Sequence, residues 1–359
     1  MIVHIRSSIK IFRVATNPSA RYFSTSFPLK TLSTPTGYQS MGSFHSEDVE
    51  VMLRLAEDSY VAPPSPLPPW FLDSQQQMIA DAAHMPLGSA FGQRHFLLDG
   101  NWTFINHGAF GAASRVGFNE ANQWREYCEL QPLRFFDRDL LPHLAHSCYT
   151  LARFINARPT DVALLPNATT GLNTVMRGVL ENGDTTLTRR IFLFETAYGA
   201  VKKMANDIAA RNPGVIVDIA PLPVSKLSHL TAEDAKQFIV DTADKYMSYG
   251  TSLAVFDHTT SNTAINMPLT SLASIARNKG AKVLVDGAHG LLAQTAPSSP
   301  NPCDMATLSE AGVDFYVANC HKWFASPKAA ALLWSRSGEC QQQCRPLVVS
   351  HGLGQGLYN

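Results

Sequence analysis

The feature that most constrains this chain is a recurring unit, a short apolar run that stops abruptly at polar residues. Val162-Ala163-Leu164-Leu165-Pro166 runs into Asn167-Ala168-Thr169-Thr170-Gly171, and Ile191–Phe194 into Glu195-Thr196-Ala197-Tyr198-Gly199. Leu253–Phe256 stops at Asp257-His258, Ala281–Val285 at Asp286-Gly287-Ala288-His289, and Val313–Ala318 at Asn319-Cys320-His321-Lys322. Apolar runs without strict alternation suit strands buried on both faces. Helical spacing follows some of them, as at Leu172, Val175, Met176 and Val179 and again over Leu269–Asn278. Strands alternating with helices predict an α/β fold with a mostly parallel sheet flanked by helices. In such sheets the ligand site lies beyond the carboxyl ends of the strands, where these polar clusters fall.

Two of the clusters carry chemistry. A lone lysine is usually a solvated surface group. Lys322, however, stands just past a buried run with His321 beside it, so its amine is placed at a pocket mouth. There a lowered pKa or a proton-accepting partner lets it form a Schiff base with a carbonyl compound. Asp286 ends another buried run. An acid and a lysine at the carboxyl ends of two strands are what a pyridoxal phosphate site needs, the lysine holding the aldehyde and the acid the ring nitrogen.

Other stretches are more open. Thr169 and Thr170 begin a helix, where hydroxyls and free N–H groups make either a phosphate site or a plain N-cap. Phe104-Ile105 reads as a short strand running into Asn106-His107-Gly108-Ala109-Phe110-Gly111, a turn that either admits a ligand to the backbone or is simply tight. Arg134-Phe135-Phe136-Asp137-Arg138 sets two cations around two aromatics, for a carboxylate ligand or for an ion pair. Helices are predicted over Glu47–Tyr60 and Arg115–Glu129. Leu144, Cys148, Leu151 and Ile155 are predicted to form a buried helical stripe, and the proline-rich segment from Ala62 to Pro69 fits neither helix nor central strand.

Composition excludes several classes. With 29 basic and 29 acidic side chains in 359 residues, the formal charge is zero, which argues against nucleic acid as the partner. No apolar run reaches the ~18 residues needed to cross a bilayer, so no membrane partner is expected. Six cysteines in a chain of this length do not suggest a disulfide framework. His143 and His146 with Asp139, and Cys340 with Cys344, are too loosely grouped for zinc, so no metal is expected. The first 43 residues contain no acid, while Arg6, Lys10 and Arg13 flank an Ile5–Ile9–Phe12 helical face. A basic, Ser-rich, amphipathic start predicts a mitochondrial transit peptide, with cleavage after Phe23.

Taken together, the motifs resemble the class V branch of the fold type I pyridoxal phosphate enzymes. Within it they are most similar to the isopenicillin N epimerase-like group, which is related to the cysteine desulfurases. The resemblance is carried by Asn106–Gly111, Pro132–Phe136, Asn167–Thr170, Ala197–Val201, Asp286–His289 and Asn319–Trp323, within a span from about Leu87 to Gly356. It implies that Lys322 bears the cofactor and shuttles the Cα proton, and that Asp286 keeps the ring nitrogen protonated. His289 and Asn262 would lie near the phenolic oxygen, Tyr198 on one ring face and Ala288 on the other. Thr169, Thr170 and His321 would hold the phosphate, and Asn106, His107 and Arg134 would face the substrate. The implied substrate is an amino acid, undergoing epimerisation, C–S lysis or transamination.

On this reading residues 1–43 are transit peptide and linker, 44–95 an N-terminal arm, and 96–346 the large cofactor-binding domain. Residues 347–359 would begin a truncated C-terminal region, because the family continues into a small domain that helps to bind the substrate carboxylate. The full-length form is expected to be a homodimer. The early stop also raises an alternative, a non-catalytic protein that keeps the fold. The desulfurases' persulfide cysteine lies far beyond the lysine, whereas Cys340 follows Lys322 closely.

Overall fold

The computed structural model describes residues 49–349 apart from 57, 182–187, 294–301 and 337. The expected transit peptide and linker, the first residues of the expected N-terminal arm and residues 350–359 lie outside the described residues. Among the latter, seven strands form one sheet: β1 (Val162–Leu165), β2 (Arg189–Phe194), β3 (Val215–Ala220), β4 (Leu253–Asp257), β5 (Lys282–Asp286), β6 (Phe315–Asn319) and β7 (Ala331–Ser335). Their order is β1-β7-β6-β5-β4-β2-β3. Only β7 runs antiparallel to its neighbours, so the other strands bring their carboxyl ends to a common edge. The α/β class and the mostly parallel sheet are as the sequence predicted.

Period-two alternation along each strand divides the core between two faces. Phe256, Val283, Val285, Tyr316 and Ala318 pack with Leu272 and Ala276 of helix Leu269–Asn278 and Ile239 of helix Ala232–Tyr246. The intervening residues Leu253, Val255, Leu284, Phe315 and Val317 pack against Leu172 and Val175 of helix Ala168–Glu181 and Val201 and Ala205 of helix Gly199–Arg211. Strands β4, β5 and β6 thus carry no polar face, which explains their near-continuous apolar runs.

Several local expectations are corrected. Phe104-Ile105 is not a strand. No neighbouring strand pairs with it, and Ile105 is 89% exposed; the pairing in this region is a single bridge between Phe96 and Ser114. Of the predicted helix Glu47–Tyr60, the described residues are helical over Val49–Leu53 and the helix stops well short of Tyr60. Of the predicted stripe, Cys148 and Ile155 are buried while Leu144 and Leu151 are half-buried. Leu141, Ala145 and Ala152 of helix Leu140–Phe154 complete the buried line. Helix Arg115–Leu130 agrees with expectation. Helix Pro69–His84 ends the proline-rich segment by taking Pro69 as its first residue, where the missing N–H costs no helical bond.

Candidate active site

Alternation places Asp257, Asp286 and Asn319, the last residues of β4, β5 and β6, on the same face of the sheet. It is the face that helices Ala168–Glu181 and Gly199–Arg211 cover. Asn319 Oδ1 accepts the Ala168 N–H at 2.9 Å, tying the start of the first helix to the end of β6. Asn167 Oδ1 accepts the Thr170 N–H at 2.9 Å and its hydroxyl at 3.1 Å. Thr169 lies exposed between these two capped positions. Tyr198 precedes helix Gly199–Arg211 and is 46% exposed.

Lys322 sits in the single helical turn Cys320–Trp323 that follows β6. Its Nζ lies 3.1 Å from His289 Nε2. Burial and the Lys322 charge hold His289 down to about 4, so the ring is neutral at physiological pH and its Nε2 serves as acceptor. Burial lowers the Lys322 pKa, and the Asp286 charge opposes that shift. Burial raises Asp286, against the pull of the Ala288 N–H and of Lys322. That N–H donates to Asp286 Oδ1 at 3.0 Å. The sequence-predicted Lys322, Asp286, Ala288 and His289 therefore come together.

His321 is tethered through Nδ1, 3.0 Å from the Ala330 carbonyl oxygen. Burial, followed by the Lys328 and Lys322 charges, lowers its pKa against the Ala330 bond. With Nδ1 donating, Nε2 can donate to an anion only after taking up a second proton.

The Asn106–Gly111 turn lies over this cluster. Gly111 has φ +71°, and a Cβ there would stand 2.0 Å from the His321 carbonyl oxygen and 2.8 Å from Lys322 Cα. The close approach that its glycines permit is thus to the backbone of Lys322 itself. Lys328 Nζ donates to the Gly111 carbonyl at 2.9 Å. Asn106 Oδ1 accepts the Ala109 N–H, and His107 packs edge-on against Phe96 and Phe104. Asn262 is exposed in a turn after β4. Arg134 pairs with Asp139 at 3.4 Å and lines a shallow depression with Gln131, Leu133, Asp137 and Arg138, so its contacts are not with the Lys322 cluster.

Beneath the cluster is a buried polar chain that sequence reasoning missed. Tyr316 Oη lies 2.8 Å from His258 Nδ1, and Cys303 hydrogen-bonds the same tyrosine. The Asp286–Gly290 loop rests directly on that ring, since a Cβ on Gly287 would stand 2.2 Å from Tyr316 Cζ. Gly287→Ala should therefore lose about 1–3 kcal/mol of stability through overpacking. Urea unfolding measures this, and a wild-type midpoint in the alanine variant would contradict the packing. A tyrosine inside an apolar run gave no sign of that role; the glycines at 287 and 290 were the available hint.

Residues 145–353 match the family described as aminotransferase class-V. The chain belongs to that family. Among its class-V relatives, an L-cysteine desulfhydrase of Arabidopsis thaliana is 28% identical over 70% of this chain and 54% of its own. Isopenicillin N epimerase of Amycolatopsis lactamdurans is 30% identical over 66% of this chain and 54% of its own. The chain spans about half the length of the curated relatives it matches. The solved complex of the cystine C–S lyase C-DES with its reaction product cysteine persulfide has the same fold. It has a TM-score of 0.55 and 24% identity, covering 70% of this chain and 61% of that one. The resemblance to pyridoxal phosphate enzymes of fold type I thus holds at the level of family and fold.

Proposed function

We propose that this protein is a pyridoxal phosphate enzyme that cleaves the C–S bond of cysteine or a close relative of it. The observation that carries the reading is the Lys322 amine, 3.1 Å from a histidine held neutral and within the field of a buried carboxylate. The described side chains fit the cofactor. Asp286 offers a buried acid for a ring nitrogen, Tyr198 an exposed ring for stacking, and the Ala168 helix start an anion seat. The hydroxyl of Thr196, two residues before Tyr198, is buried without a partner among the described residues.

Bound there, pyridoxal phosphate supplies a ring that withdraws electrons from the amino acid's α-carbon. Lys322 would hold the cofactor and then move the proton at Cα, with His289 Nε2 3.1 Å away to orient its amine by a hydrogen bond. Asp286 anchors the ring edge, and His289 and Ala288 border the ring with Tyr198. Thr169 presents a hydroxyl and an N–H to the phosphate. Thr170, whose own hydroxyl proton goes to Asn167, contributes chiefly by shaping the cap. Protonated His321 adds a donor. Asn262, Asn106, His107 and Arg134 stay as substrate-side or ring-side candidates on the strength of the resemblance.

Sulfide release is the outcome that the desulfhydrase relatives favour. Burial pushes the thiols of Cys148 and Cys344 up to about 11 and those of Cys303 and Cys320 up to about 12, and it raises Cys340 as well, so these five are poor sulfur acceptors. Among the relatives, desulfhydrases and epimerases both occur. The acid-free start supports import into mitochondria; a relative from Arabidopsis thaliana with chloroplastic in its name gives an organellar precedent. A second copy of the chain is the proposed partner.

Purified protein supplied with pyridoxal phosphate and L-cysteine should release sulfide and pyruvate in equal amounts. Exchange of the α-hydrogen with inversion and no sulfide would turn the assignment to epimerisation. Cofactor uptake without turnover of any amino acid would leave a binding protein and end the enzymatic reading.

A further inference from the structure

Asp257 is buried, acidic and unused by the chemistry above. It ends β4 in direct register with Asp286 at the end of β5, and alternation puts both side chains on one face of the sheet. They are 6% and 5% exposed. Neighbouring parallel strands lie about 4.8 Å apart, so the two carboxyl groups are adjacent in a dry environment. Two adjacent buried carboxylates do not both ionise readily. The main-chain N–H of Tyr198 lies close enough to the Asp257 carboxyl to favour its ionised form.

We propose that Asp257 is a positioning residue, forming with Asp286 a carboxyl pair that carries one negative charge and fastening Tyr198 beside it. This deepens the proposed function, on which the roles of Asp286 and Tyr198 rest. One acid of the pair meets the edge of an aromatic cofactor, while the other fixes the main chain of the residue that covers its face. Burial raises both carboxyls, while the Ala288 N–H and Lys322 favour the ionised form of Asp286 and the Tyr198 N–H and Lys202 that of Asp257, so the pair holds one proton between them.

The groups facing the pair are few. Burial and then the Asp286 charge on β5 push Asp257 up to about 8, while the Tyr198 N–H and the Lys202 charge from helix Gly199–Arg211 oppose that. Tyr316 and Lys322 face Asp286 from β6 and the turn after it. His258, next in sequence, lies at about 4 and is neutral where Asp257 titrates. The contribution of a carboxyl raised in the fold is fully present below its ordinary value and is lost as pH rises through about 8.

The cofactor-free protein therefore tests the pair directly. From about pH 5 to about pH 9, the thermal midpoint of the wild type should fall relative to that of Asp257→Asn, which needs no proton to be neutral. Parallel curves would overturn the shared charge. Pyridoxal phosphate affinity, read by absorbance, tests the hold on Tyr198. Asp257→Asn keeps an acceptor for the N–H and should bind within about threefold of wild type, whereas Asp257→Ala should bind about tenfold more weakly. Equal affinity of the alanine variant would overturn that part. If the alanine variant does not fold, an asparagine variant weakened as much as tenfold overturns it instead. A wild type that takes up no pyridoxal phosphate sinks the proposed function and with it the Tyr198 part, while the pH comparison still decides the pair.

Discussion

Lys322→Ala should take up pyridoxal phosphate without fixing it covalently, and its turnover should fall on the order of 10²–10⁴-fold from the lost proton transfer alone. The reason lies in the placement of the amine. Lys322 is the side chain that meets His289 Nε2, and burial lowers its pKa so that more of it is a free amine at neutral pH. Removing it leaves the neutral imidazole without that neighbour but disturbs no buried strand, so the fold should survive. Borohydride reduction of the cofactor-treated wild type, followed by peptide mapping, should put the label on Lys322 and nowhere in the alanine variant. A label on another lysine would remove the basis of the site assignment. Unchanged turnover in the variant would do the same for the proposed proton transfer.

Asp286→Asn should separate activity from stability. In its proposed role the buried carboxylate is the charge that would favour a protonated ring nitrogen, and an amide supplies none. Loss of the Cα proton should slow on the order of 10²–10³-fold, comparable to deleting one preorganised electrostatic contact. The same change should not weaken the cofactor-free fold, because burial holds Asp286 above the ordinary carboxylate range. Its contribution to stability is complete only below that range and declines as pH rises through the raised value, so at neutral to alkaline pH the amide removes a penalty. Hydrogen–deuterium exchange at the substrate α-carbon and thermal unfolding measure the two effects. Exchange at the wild-type rate would refute the ring-nitrogen role.

Much of the site was legible because it hangs on strand ends. A buried strand announces itself by its apolar run, and the first polar residue after it must lie at the sheet edge. Asp286 and Lys322 were therefore placed by the same pattern that defined β5 and β6. The long turn at Asn106–Gly111 was harder. Its residues have no period, and the contact that defines it, Gly111 against the Lys322 backbone, joins segments far apart in sequence. Strands β3 and β7 escaped notice for different reasons. Half-exposed β3 reads as a mixed run with Asp218 inside it, and β7 follows the lysine so closely that nothing marks its start. Asp257 was visible as a polar residue after an apolar run, but its pairing with Asp286 needed the register.

The bond from Asn319 to Ala168 joins two parts of the chain that otherwise belong to different strands, with β7 running between them. The turn that carries Lys322 and the helix start that offers the anion seat are thereby fixed to one rigid frame, independent of the loops above it. Such a chassis separates what must stay constant from what is free to diverge. The proposed cofactor cradle is built of sheet ends and a helix start. In the segments at 106–111 and 258–266, Gly111 against the Lys322 backbone and buried His258 against Tyr316 are tied to that cradle. The exposed positions of these segments, such as Phe110 and Asn262, are where a side chain can change with the foundation left in place.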